Sequence, residues 1–108
     1  MRLAYACERL RAAIAAVATA EGRLPHRLRV AYDQMEDLEA ADVPEGLRPE
    51  FAALTKAWDA VTVRRMREET RGQLARELVT ALLAFYDHVC LARRMGEAPP
   101  SANDRMAP

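Results

Sequence analysis

Serine and lysine are nearly absent from this chain of 108 residues: Ser101, close to the C-terminus, is the only serine and Lys56 the only lysine. With no serine ahead of position 101, a serine-nucleophile hydrolase has no candidate residue. Glycine is sparse as well. Gly22, Gly46, Gly72 and Gly96 stand singly, so there is no glycine-rich loop to cradle a phosphate. No apolar run approaches the ~20 residues that a bilayer-spanning helix needs. The longest charge-free stretch near the start, residues 12–20, has nine residues.

Arg2, Arg9 and Arg11 precede that stretch, and Ala18-Thr19-Ala20 has the small-x-small form of a signal-peptidase site. Glu8 interrupts the leader, however, and the apolar part is mostly alanine, so a cytoplasmic protein is expected. Cysteine is limited to Cys7 and Cys90. An oxidising compartment would allow one long-range disulfide between them; a cytosolic chain would use them as small buried hydrophobes.

What is present points to a helical protein. The length allows one domain and leaves no room for two independent cores. A hydrophobic share of 51% excludes a wholly disordered chain, although 22 of those residues are alanine. Arginine makes up 15 of the 16 basic residues. Planar guanidinium forks suit phosphate and carboxylate recognition, but the joint excess of Arg and Ala is also what a GC-rich coding sequence produces.

The net charge of zero conceals three blocks. Residues 1–29 sum to +4, residues 33–50 to −6 and residues 64–94 to +3, the remainder contributing −1. A neutral total gives weak long-range steering toward nucleic acid or an anionic membrane.

Leu3, Cys7, Leu10, Ile14 and Val17 alternate at four- and three-residue spacing and predict a first helix, stopped at Gly22. Its second half, from position 12 to 20, carries no charge on any side, which predicts a segment central in the bundle or at a subunit contact. Pro25 fits the first turn of a second helix with Leu28, Tyr32, Met35 and Leu38 on its apolar stripe, fading near Ala41. The residue before a proline avoids helical backbone, so a break is expected at Arg48 and a third helix from Pro49, carrying Phe51, Leu54, Trp58 and Val61. Trp58, the only tryptophan, should anchor the core with a partner for its indole N–H.

Residues 62–67 read equally as loop or helix, with Gly72 just beyond. From Leu74 the pattern is firm, with Leu78, Leu82, Phe85 and Val89 sharing a face and Gly96 as the stop. The expected fold is an all-α, compact antiparallel bundle of three to four helices over residues 1–95. The proline-rich remainder, 96–108, is expected to be a disordered tail.

The second helix contradicts the macrodipole rule at both ends. His26, Arg27 and Arg29 sit in its first turns, and Glu36, Asp37 and Glu39 lie toward its end. Each misplaced charge costs ~0.3–1 kcal/mol when exposed and unpaired. An antiparallel hairpin of the first two helices brings residue i opposite residue 45−i, so Arg9 should approach Glu36 and Arg2 the acidic turn at Asp42. Arg23, His26, Arg27 and Arg29 are left as a basic cluster in need of carboxylates from the last helix, another subunit or a ligand.

Other chemistry is scarce. His88 and Cys90 are two residues apart and face different sides of a helix, the wrong spacing for joint metal ligation. A di-iron bundle needs Glu-x-x-His pairs, and the residues three before His26 and His88 are Arg23 and Phe85. A thiol nucleophile at Cys7 or Cys90 with a histidine base is the remaining enzymatic option. The arginines at 23, 27 and 29 and at 64, 65, 67 and 71 are candidates for nucleic-acid contact, without the interleaved aromatics that single-strand binding favours.

Leu24-Pro25-His26-Arg27-Leu28 with Ala31-Tyr32, then Val43-Pro44-Glu45-Gly46-Leu47-Arg48-Pro49-Glu50-Phe51, and Leu82 with Phe85-Tyr86-Asp87 and Val89 resemble small bacterial helical proteins of uncharacterised function. Their pattern runs LPxRLxxAY, LPxxLRxxFxxL and LYDxV. The resemblance covers residues 24–90, departs at Gly46, where an acidic residue is usual, and in the alanine-rich first helix, and implies no activity or cofactor.

The resulting expectation is a non-enzymatic, self-associating helical interaction module that takes no cofactor, metal or membrane partner. Its contact residues are placed at Ala12, Ala15, Ala16 and Thr19 on the first helix and at Arg23, His26, Arg27 and Arg29 beyond it. The alternative is a small nucleic-acid-associated regulator built on the arginine clusters.

Overall fold

The computed structural model describes residues 2–63 and 65–96. The expected tail, from residue 97 onward, lies outside the described residues. Four α-helices form an antiparallel bundle: α1 (Leu3–Thr19), α2 (Leu24–Met35), α3 (Arg48–Thr62) and α4 (Glu68–Gly96). Among the described residues the choice between three helices and four is therefore settled as four. No described helix is long and apolar enough to cross a membrane. α1 packs most extensively on α2, α4 lies against both α1 and α3, and α2 closes the ring against α3.

The turn between α1 and α2 depends on Gly22, whose φ of +103° is left-handed backbone. A Cβ there would also come within 3.2 Å of the His26 ring. Pro25 occupies the first turn of α2, as its missing N–H allows.

Helix α2 stops at Met35, well short of Ala41. Glu39 is extended, and its N–H donates to the Asp42 carboxylate at 3.0 Å instead of continuing the helix. Single 3₁₀ turns at Ala40–Asp42 and Glu45–Leu47 then lead directly into α3.

Arg48 is helical despite the proline that follows it. Its N–H donates to the Glu45 carbonyl and its Nε to the Ala40 carbonyl at 2.9 Å, and these contacts outweigh the pre-proline preference. Between α3 and α4, Arg65–Met66–Arg67 is non-helical, whereas Gly72 lies inside α4.

Most of the stripes read from the spacing form the core, but Tyr32 of the α2 stripe is exposed, Leu3, Ile14 and Leu74 are only partly buried, and Ala6, Ala13, Ala31, Val43 and Ala75 are buried in addition. Trp58 is wholly buried and donates its indole N–H to the Leu28 carbonyl at 2.8 Å, tying α3 to α2. Phe51 stacks on Phe85 across the α3–α4 contact with ring centroids 5.8 Å apart.

The uncharged half of α1 is not central. Ala13 and Val17 are buried, but Ala15, Ala18 and Thr19 face outward. A methyl side chain gains so little from burial that an alanine face does not need covering.

Removing the indole donor leaves the Leu28 carbonyl without it and opens a small void. Trp58→Phe should lower unfolding stability by about 1–3 kcal/mol, read from urea titration at neutral pH.

Candidate functional site

Antiparallel packing gathers the C-termini of α1 and α3 and the N-termini of α2 and α4 at one end of the bundle. The last carbonyls of a helix lack intrahelical donors and carry partial negative charge. Arginines meet them. Arg27 Nη1 donates to the Val17 carbonyl at 2.9 Å, closing α1, and Arg29 Nη2 donates to the Thr62 carbonyl at 3.1 Å, closing α3. From the start of α4, Arg71 donates to the adjacent Val61 carbonyl.

Arg23 Nη1 pairs with Glu68 Oε1 at 2.8 Å on the exposed rim, so the last helix does supply one of the carboxylates the basic cluster was expected to need. The charges that break the dipole rule within α2 thus obey it for α1 and α3. His26 is exposed beside Gly22.

Arg27 keeps one feature unexplained by capping: its Nε is buried with no hydrogen-bond partner. The side chain borders a cavity of about 350 Å³ with apolar walls from Ile14, Val17, Leu24, Val79 and Leu83, and with Arg76 on its edge.

At the opposite end the hairpin register is half realised. Arg2 makes the expected bidentate contact with Asp42, Nε to Oδ1 at 2.7 Å and Nη2 to Oδ2 at 3.0 Å, whereas no ion pair joins Arg9 to Glu36 among the described residues. The Arg2 guanidinium also lies 4.2 Å over the Tyr5 ring, and the Tyr5 hydroxyl donates to Asp37. That bond to a carboxylate raises the Tyr5 phenol above its ordinary value. Asp42 is the one buried charged residue among those described. The Arg2 guanidinium holds its carboxyl below the usual carboxylate range, helped by the Glu39 N–H and opposed by desolvation.

Of the contact residues expected on α1, Ala12 and Ala16 are half-buried and Ala15 and Thr19 exposed, along one outward flank. The Thr19 hydroxyl is satisfied by the Ala15 carbonyl at 2.8 Å.

A better-formed apolar surface lies elsewhere. Between α3 and α4 an open groove of about 360 Å³ is walled by Ala53, Ala57 and Ala60 from one helix and Leu74, Ala81 and Ala84 from the other. Past the pair formed by His88 Nδ1 and the Glu50 carboxylate, at 2.9 Å, the same side of α4 continues through Leu91 and Met95, which are 49% and 70% exposed. One wall was visible in the chain, since alanines at 53, 57 and 60 repeat at helical spacing, but not which helix would face it.

Among the described residues no three metal-ligating side chains lie close enough to share an ion. The two thiols, however, meet: Cys7 Sγ and Cys90 Sγ are 3.9 Å apart. Comparison with family models, with curated proteins and with solved structures finds no match to the chain.

The Asp42 geometry sets a pH dependence. A carboxyl whose folded pKa lies below its unfolded one contributes fully above the ordinary value of 3.8, and loses that contribution as the pH falls through the folded value. Asp42→Asn should therefore cost about 1–2 kcal/mol at neutral pH. The gap between variant and parent should close when urea titrations are repeated under increasingly acidic conditions.

Proposed function

We propose that this chain is a non-enzymatic helical interaction module that self-associates, with the α3–α4 groove of one copy set against that of another. The observation that carries the reading is the groove itself: a mainly apolar trough between two helices, walled by alanines, bordered by Glu50 and Glu77, and followed along α4 by exposed Leu91 and Met95. Alanine walls admit close helix approach, and a two-fold arrangement lets one surface serve both partners. α4, with 29 residues, runs about 43 Å and offers a length of face that α3 alone does not.

The setting taken for this activity is the cytoplasm, where a disulfide is transient rather than structural. The nucleic-acid alternative draws less support, because Arg27, Arg29 and Arg71 are directed at the chain's own carbonyls.

Light scattering or sedimentation over a micromolar to millimolar series should show a mass that rises toward the dimer. Ala57→Glu, on the exposed wall of the groove, should weaken association at least tenfold, while Ala15→Glu on the exposed flank of α1 should leave it unchanged. The reverse pattern would assign the contact to α1, and a strict monomer throughout the series would remove self-association.

A further inference from the structure

The only two cysteines of the chain are 83 positions apart, one near the start of the first helix and the other near the end of the last. The antiparallel packing of α1 on α4 brings their sulfurs to 3.9 Å. Both are free thiols; Cys7 is 2% exposed, and Cys90 is partly accessible.

Their surroundings differ from those of two cysteines that merely fill a core. Ala4, Glu8 and Arg11 of α1 and Arg93 of α4 line a cavity of about 250 Å³; Ala4 and Arg11 stand three before and four after Cys7, and Arg93 three after Cys90, one helical turn from each thiol. Burial and the neighbouring Cys90 thiol push the Cys7 thiol up, opposed in part by the Arg93 guanidinium. Two guanidiniums against a single carboxylate make this opening receptive to a small anionic reagent.

We propose that Cys7 and Cys90 are a dithiol modification site, oxidised by a small carboxylate-bearing disulfide to an intramolecular disulfide that ties α1 to α4. In the first step the Cys90 thiol gives its proton to solvent and the thiolate attacks one sulfur of the reagent. This forms a mixed disulfide and expels one thiolate, which takes up a proton. In the second, Cys7 gives up its proton and attacks the Cys90 sulfur, breaking the mixed disulfide and releasing the second reagent thiolate. Two protein thiols are oxidised by two electrons, and one reagent disulfide is reduced to two thiols.

The accessible sulfur attacks first and the buried one resolves, because only Cys90 can be reached from outside. The sulfurs need to close from 3.9 Å to about 2.05 Å, a movement of side-chain rotation and slight helix adjustment. The closed loop contains nearly the whole bundle, so the bond removes much of the freedom of the unfolded chain. Oxidised protein should melt more than about 10 °C above reduced protein.

The test exposes the full native chain to oxidised glutathione in a glutathione redox buffer and follows it by intact mass and non-reducing electrophoresis. The expected product has lost two hydrogen masses, carries no glutathionyl group and runs as a single chain. Cys7→Ser should stop at one glutathionyl group on Cys90, and Cys90→Ser should remain unmodified while folded. A mixed disulfide that persists on Cys90 of the parent chain, or a disulfide-linked dimer in place of the internal bond, would overturn the proposal. So would two thiols that react only after urea is added. The parent-chain measurement decides the matter even where a serine variant fails to fold.

Discussion

Arginines hold the end of the bundle at which α1 and α3 finish and α2 and α4 begin. Four antiparallel helices bring two carbonyl-rich ends together there, and each needs donors. Arg27 and Arg71 reach the carbonyls of Val17 and Val61, and Arg29 reaches that of Thr62, while Arg23 ties the start of α2 to Glu68 at the start of α4. A basic first turn is unfavourable for α2 taken alone, but it is favourable for the helices that end beside it. The tight turn at Gly22 serves the same arrangement, since a longer connection would carry Arg27 away from the carbonyl ten residues before it.

The acidic end is organised around one buried carboxylate. Asp42 accepts from Arg2 and from the Glu39 N–H, and by doing so it caps the short turn at Ala40–Asp42 and fixes the N-terminal end of α1. Charge pairing at this end thus determines chain path more than it adds stability, since the guanidinium is half-exposed and an exposed partner is screened.

Much of this was legible in the residues. Stripes such as Leu3, Cys7 and Leu10, or Leu78, Leu82 and Phe85, specify helix faces by period alone, and the hairpin register correctly paired Arg2 with Asp42. Where the structure departs from the expectation, side-chain bonds to nearby backbone, which hydrophobic period does not register, account for two of the differences. The side chain of Asp42 holds Glu39 extended beyond the end of α2, and the bond of Arg48 to Ala40 accompanies its helical backbone. The charge-free half of α1 is half exposed, which removes the central of its two expected places and leaves the subunit contact. The α3–α4 groove and the meeting of the two cysteines were beyond local periodicity. Each is formed by residues from different helices, and period within one helix carries no information about which neighbour lies against it.

α4 connects these features because its buried stripe has two flanks. One carries Cys90 and Tyr86 toward α1, where Arg11 reaches the Tyr86 hydroxyl; the other carries Ala81, Ala84 and the exposed Leu91 and Met95 along α3. A bond between Cys7 and Cys90 would fix the first flank without entering the groove on the second. Redox state and self-association would then act on separate sides of one helix. They would be coupled only through α4 as a rigid body, whose tilt against α3 is held in turn by the stack of Phe51 on Phe85.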